Sequence, residues 1–150
     1  MARYARYQGA IVRDDQILLI KHHVYENDSE FWVIPGGGME EGETEEESVI
    51  REMQEETNLT VQVERLLMDV PANRPYTIYQ RYKTYLCVPV AGEASPGYEP
   101  EHDANEHYEI SAVGWFSLVD ESGWDADLVN DAFMYPWLQK VRQLLGYVNA

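Results

Sequence analysis

Apolar residues come in short blocks over the first third of the chain, and their spacing changes twice. Tyr7 to Val12 and Gln16 to Lys21 predict two strands joined by a tight turn at Asp14-Asp15, and Phe31 to Ile34 predicts a third. Between the second and third, His22 to Glu30 is polar, carries Asn27-Asp28-Ser29 and has no apolar period, which predicts an exposed loop. Pro35-Gly36-Gly37-Gly38 then breaks the chain. From Thr44 to Thr57 the period becomes helical, opened by a capping box in which Thr44 and Glu47 satisfy each other's backbone amides. Val49, Ile50 and Met53 are its expected apolar side.

Leu59 to Val70 and Tyr76 to Val90 predict two longer strands, rich in Val, Leu and Tyr, that can pair across a turn holding Pro71, Asn73 and Pro75. Ala91 to Glu106, with Gly92, Pro96, Gly97 and Pro100 among acidic residues, predicts a long surface loop. Ala112 to Leu118 predicts the last strand. Ala126 to Leu145 is helical in pattern but is expected to divide at Pro136, which cannot occupy a helix interior. Leu138, Val141 and Leu145 then form the buried stripe of the final helix, which Gly146 caps. There is no internal repeat, and 150 residues suit a single domain over residues 1–150.

Composition narrows the function. Apolar residues make up 45% and charged residues 25%, a globular balance. The apolar runs fall far short of the roughly 20 residues that cross a bilayer, and the start shows no export signal, so a cytoplasmic protein is expected. The single cysteine, Cys87, allows no internal disulfide and no cysteine-based zinc site. With 27 acidic residues against 11 basic ones, the formal net charge is −16, which disfavours duplex nucleic acid and anionic membrane as partners. A phosphate ligand would need its positive charge from elsewhere, and a divalent cation is the expected source.

Charge placement within the predicted helix separates two groups of glutamates. Glu45, Glu46 and Glu47 stand in the first turn, where the helix dipole favours carboxylates by about 0.3–1 kcal/mol each. Glu52, Glu55 and Glu56 stand in the last turns, where the dipole opposes them and Glu52 repels Glu56 by about 0.2–0.5 kcal/mol. Helix stability would not choose these three. Their spacing puts them on one face, expected roughly opposite Val49 and Met53, as hard oxygen ligands of the kind Mg²⁺ takes. A solvated acidic face is the bland alternative.

The wider spacing decides between them. Gly37, then Glu43, then Arg51-Glu52-Met53-Gln54-Glu55-Glu56-Thr57-Asn58-Leu59 resembles the Nudix box, GX5EX7REUXEEXGU with U apolar, and departs only at Asn58, where the family usually has Gly. Trp32-Val33-Ile34-Pro35-Gly36 and Trp115-Phe116 also resemble Nudix landmarks. Asn tolerates the left-handed conformation better than other non-glycine residues, so Asn58→Gly is expected to be neutral or mildly stabilising. The resemblance implies an α/β fold, a Nudix-type α/β/α sandwich with a mixed β-sheet between helices. It implies Glu52, Glu55 and Glu56 as ligands of Mg²⁺, with Mn²⁺ able to substitute. It also implies that Glu43 orients Arg51, whose plain alternative is a surface partner of Glu47 or Glu55, while Gly36 and Gly37, otherwise a mere turn, are expected to let the loop backbone pass close to metal and phosphates.

The resemblance implies that the base that activates water is a box glutamate, Glu55 among them, or one in the loop before the last strand, where Glu109, six residues before Trp115, comes first; Glu106 is the reserve and Glu101 lies in the same loop. His102 and His107 are expected to be solvated. Lys21 is a candidate for substrate phosphate, with a shielded strand edge as its plain alternative. Arg3, Arg6, Arg74 and Arg81 are further cations that the sequence does not place, and the Tyr residues supply stacking faces from which none can be singled out. The expected function is Mg²⁺-dependent hydrolysis of a pyrophosphate bond in a nucleoside diphosphate derivative, a nucleotide sugar or a nucleoside triphosphate, releasing a nucleoside monophosphate. A nucleotide-sensing Nudix-like module without turnover and a cation-binding interaction domain are the rivals. Pro75 and Tyr76 loosely match markers for ADP-ribose and for dinucleoside polyphosphates, so the two cancel. The partner is a small-molecule nucleotide, and a homodimer is left open.

Overall fold

The computed structural model describes residues 3–72, 78–98 and 108–148. Its elements are β1 (Arg3–Arg13), β2 (Gln16–Val24), β3 (Glu30–Val33), β4 (Gly36–Gly37), α1 (Glu45–Thr57), β5 (Thr60–Pro71), β6 (Tyr79–Ala91) and β7 (Tyr108–Ser117). A 3-10 turn at Glu121–Gly123 leads to two helices, α2 (Ala126–Val129) and α3 (Met134–Leu144). Asp14 and Asp15 both take left-handed backbone, with φ of 52° and 62°. That pair matches the right-handed twist of the strands it joins and closes the β1–β2 hairpin, Val12 opposite Ile17.

The sheet is mixed. β1 runs parallel to β6, from Arg3 opposite Tyr79 to Ile11 opposite Cys87, while β5 pairs antiparallel with β6 and both β3 and β7 pair antiparallel with β2. Both faces are covered. Ile17 and Leu19 point into one core with Trp32, Phe116, Leu138 and Val141, whereas Leu18 between them points into a second core with Ile11, Val49 and Met53. The unbroken apolar run of β2 therefore records burial on two sides. With α1 on one face and α3 on the other, the architecture is the α/β/α sandwich. Among the described residues no helix is long and apolar enough to cross a membrane.

Three expectations need correction. His22 to Val24 are not loop but continue β2, because β7 begins at Tyr108, ahead of the expected Ala112, and gives them backbone partners. A register shift between Lys21 and His22 accompanies the extension, and His22 is buried between Tyr108 and Phe31, with ring centroids 4.6 and 5.4 Å away. Pro136 does not divide the last helix. It lies in the first turn of α3, where an amide has no intrahelical acceptor to lose, and the break falls earlier, where the Asp131 carboxylate accepts from the Phe133 and Met134 amides at 2.9 and 2.8 Å. Ile50 is exposed, and the inward arc of α1 is Ser48, Val49, Glu52, Met53, Glu56 and Thr57. Glu52 and Glu56 thus flank the apolar stripe instead of opposing it. Pro75, Tyr76, Arg74, Glu101, His102, Glu106 and His107 lie outside the described residues.

Candidate active site

The site begins with a helix fixed at its start. The Thr44 hydroxyl accepts from the Glu47 amide at 3.1 Å, and the Glu47 carboxylate accepts from the Thr44 amide at 2.9 Å. Glu45, in the same turn, accepts from Lys83 at 2.9 Å and from the Tyr85 hydroxyl in a shorter contact, so α1 is tied to β6 as well. Burial and the Glu45 carboxylate push the Tyr85 phenol well above its ordinary range.

Beyond that turn the helix passes beneath the glycine segment. Gly36 and Gly37 pair with Gln8 and Tyr7 of β1, and the Gly36 amide donates to Glu56 Oε1 at 2.7 Å. A Cβ on Gly37 would lie 2.5 Å from Glu52 Oε1, and one on Gly36 would collide with the Tyr7 carbonyl. Glycine at 37 lets the loop backbone rest on Glu52, and glycine at 36 lets it lie against β1. Glu52 is 1% exposed and Glu56 not at all, so two acidic side chains are held inside the protein under a peptide ceiling.

Arg51 is the cation among them. Its Nε and Nη2 donate to the two oxygens of Glu43 at 2.7 and 3.0 Å, a bidentate pair, and Nη2 also donates to the Gly38 carbonyl at 3.0 Å. Nη1 reaches Glu52 at 3.0 Å and both oxygens of Glu55 at 3.3 Å. The Glu40 amide donates to Glu43 at 2.8 Å and fixes that carboxylate from behind. The hydrogen bond from Arg51 holds Glu43 below the ordinary carboxylate range, and Glu43 in turn raises the Arg51 pKa further.

This donor set fits a divalent cation in its chemistry: hard carboxylate oxygens, two of the side chains buried, with one guanidinium serving Glu43, Glu52 and Glu55 together. Among the described residues no group of three or more His, Cys, Asp and Glu side chains is arranged to hold a metal as it stands. Arg51 bridges Glu52, at its Oε1, and both oxygens of Glu55.

Other sequence candidates lie elsewhere. Lys21 sits over the Trp32 ring at 5.3 Å and 3.8 Å from Glu30, against an aromatic of the α3-side core. Glu109 lies in β7 and not in the loop before it; it stands opposite His23, with its Oε1 3.3 Å from His23 Nδ1, while Nε2 meets Asp28 at 3.1 Å. The Glu109 hydrogen bond, followed by that of Asp28, raises the His23 pKa. Arg6 donates to the Ile34 carbonyl at 3.0 Å and Arg81 to Asp69 at 2.7 Å. Asn58 is left-handed, with φ of 62°, and closes the helix by donating its amide to the Gln54 carbonyl at 3.1 Å. Sequence reasoning missed Lys83 and Tyr85 as the holders of Glu45, and Gly97 at the far end of α1; the second had a signal in the glycine itself, read only as a loop breaker.

The NUDIX domain model matches residues 3–140. The putative ADP-ribose pyrophosphatase YjhB of Bacillus subtilis is 33% identical over 104 residues, covering 67% of this chain and 48% of its own. The chain therefore spans about half the length of that curated relative. A solved NUDIX hydrolase from Nitrosomonas europaea superposes with a TM-score of 0.69 at 20% identity, over 95% of this chain and 72% of that one. An ADP-ribose pyrophosphatase from Streptococcus suis does so with a TM-score of 0.57 at 28% identity, over 77% and 75%. The family model spans most of the chain and the solved structures share its fold, and the chain belongs to the Nudix family.

Proposed function

We propose that this protein hydrolyses the pyrophosphate bond of a nucleoside diphosphate derivative with Mg²⁺, which Mn²⁺ can replace. The observation that carries the reading is the pair of buried carboxylates, Glu52 and Glu56, under the Gly36–Gly37 backbone and beside the single guanidinium of Arg51. Burying two carboxylates costs several kcal/mol that a purely structural helix has no reason to incur. The bound cation would supply charge to offset phosphate and would lower the pKa of water. Glu43 holds Arg51 by its bidentate pair, Arg51 restrains Glu52 and Glu55, and Glu56 is fixed by the Gly36 amide. Glu55, less buried than its neighbours, is the box residue placed best to take a proton from water. Glu109 is the alternative base, and its hydrogen bond to His23 would have to yield for that task. Lys21 would act on phosphate only by leaving Trp32 and Glu30.

Nucleoside diphosphate sugars come first among substrates, since two of the similar proteins are named for ADP-ribose. The test is phosphorus-detected turnover of ADP-ribose, other nucleoside diphosphate sugars and nucleoside triphosphates in ¹⁸O-water, with and without Mg²⁺. Labelled nucleoside monophosphate from one class, formed only with metal, supports the proposal. Binding of nucleotide without any cleavage would make the protein a sensor, and cleavage of non-nucleotide pyrophosphates alone would overturn the substrate class.

A further inference from the structure

We propose that the segment from Gly92 to Tyr98 positions the last turn of α1 for metal binding, with Gly97 as its main positioning residue; this rests on reading Glu52, Glu55 and Glu56 as cation ligands. A helix leaves its last four carbonyls without intrahelical partners. Here each has a backbone donor: Gln54 receives the Asn58 amide at 3.1 Å, Glu55 the Tyr98 amide at 2.9 Å, Glu56 the Gly97 amide at 2.9 Å and Thr57 the Ser95 amide at 3.0 Å. Three of those donors come from one strap that returns from β6 across the end of the helix.

Its contacts fall on the turn that carries the chemistry. The residues whose carbonyls it grips include Glu55 and Glu56 themselves, so their backbone torsions are set by the strap and their carboxylates inherit that placement. The last turn has no basic side chain, and the dipole there opposes its glutamates, so the strap amides also supply the positive partial charge that the helix end lacks. Exposed carbonyls could have been left to water. Amide clamping adds fixation, which a metal site requires of the groups behind its ligands.

The strap fits only because of its glycines. A Cβ on Gly97 would fall inside the Glu55 carbonyl, and one on Gly92, whose φ is +92°, would lie 2.6 Å from the Asn58 carbonyl. Asn58 ties the same segment down by donating its side-chain amide to Ser95 Oγ at 2.9 Å.

The test compares Mn²⁺ binding, followed by the electron paramagnetic resonance signal of the free ion, in the full chain and in Gly97→Ala, Ser95→Ala and the control Gly123→Ala, whose added methyl meets nothing within 4 Å. The expected result for Gly97→Ala is Mn²⁺ affinity lowered about 10-fold or more, the range for groups that orient ligands, with substrate KM at saturating metal unchanged. Ser95→Ala, which keeps the backbone amide and removes the side-chain tie to Asn58, should shift affinity the same way by less, and it carries the test should Gly97→Ala not fold. Unchanged Mn²⁺ affinity in a folded Gly97→Ala, or in Ser95→Ala where that variant carries the test, overturns the proposal and leaves the strap a brace. Absence of Mn²⁺ binding in the unaltered protein overturns the metal reading first, and the proposal with it.

Discussion

Two places in the molecule use the same arrangement, a basic side chain between carboxylates, in opposite surroundings. Around Arg51 the side chains of Glu43, Glu52 and Glu55 are 17%, 1% and 16% exposed. Around His23 those of Asp28 and Glu109 are 87% and 50% exposed. Water screens the second group, whose pairs belong with surface ion pairs of little worth to stability. The first cannot be solvated in that way, so each member depends on the others, and removing one leaves a charge uncompensated. Buried charge that costs stability marks the place where function is to be sought, whereas exposed charge of the same kind marks nothing by itself.

The comparison breaks most sharply at Glu56. Glu56→Gln keeps an oxygen for the Gly36 amide but loses the anion, so the fold should persist while turnover falls at least about 100-fold and Mn²⁺ binding weakens. Near-full activity would remove Glu56 from the metal set. Glu56→Ala takes away the acceptor too, and should cost a further 1–3 kcal/mol, roughly, in chemical denaturation through the unsatisfied amide.

Arg51→Met comes next. It leaves Glu43, Glu52 and Glu55 without their cation, and a loss of about 3 kcal/mol at neutral pH is expected. Acid sharpens the point. Glu43 is held below its ordinary value of 4.5, so its contribution is present above that pH and is lost as pH falls through the lower folded value. Arg51→Met should therefore lose less stability between pH 7 and pH 3 than the unaltered chain. An equal loss in both would mean that Arg51 does not stabilise Glu43.

What was legible in the sequence depended on how far away its cause lay. The Thr44 box, the left-handed Asn58 and the Asp14-Asp15 hairpin have causes within a few residues, and the structure has all three. The sandwich was legible through the Nudix resemblance, while α1 facing inward through Glu52 and Glu56 was not, since periodicity assigns carboxylates to the water side. His22 and Val24 became strand because of Ile110 and Tyr108, far along the chain, and no local signal announces a distant partner. The strap on α1 was hidden for the same reason: Ser95, Gly97 and Tyr98 act through backbone amides, which every residue but proline possesses.

A smaller effect is expected at the exposed cluster. His23 is raised above its ordinary value of 6.5, first by Glu109, so the stability it gains from its partners is fully present below that value and lost as pH rises through the folded pKa. Glu109→Gln should bring the His23 titration, followed by nuclear magnetic resonance, back toward 6.5 with little change in denaturation midpoint. Kinetics then decides whether Glu109 is more than a surface partner: a large fall in kcat at unchanged nucleotide affinity would make it the base, and an unchanged rate would leave that role to the box.

The smallest effect belongs to Asn58→Gly, where opposing contributions nearly cancel. Glycine relieves the left-handed strain at φ of 62°, worth about 1–2 kcal/mol for an ordinary residue and less for asparagine. Against this it forfeits the 2.9 Å hydrogen bond to Ser95, about 0.5–1.5 kcal/mol, and adds backbone freedom to the unfolded chain, roughly 0.5–1 kcal/mol. The side-chain bond shifts the expectation from neutral or mildly stabilising to slightly destabilising, within about 1 kcal/mol in chemical denaturation. Asn58→Ala is the informative companion, since it loses the same bond while keeping the strain, and it should be the less stable of the two. If Asn58→Gly were instead the less stable, left-handed strain would not govern the stability of this cap, and the backbone freedom that glycine adds to the unfolded chain would outweigh it.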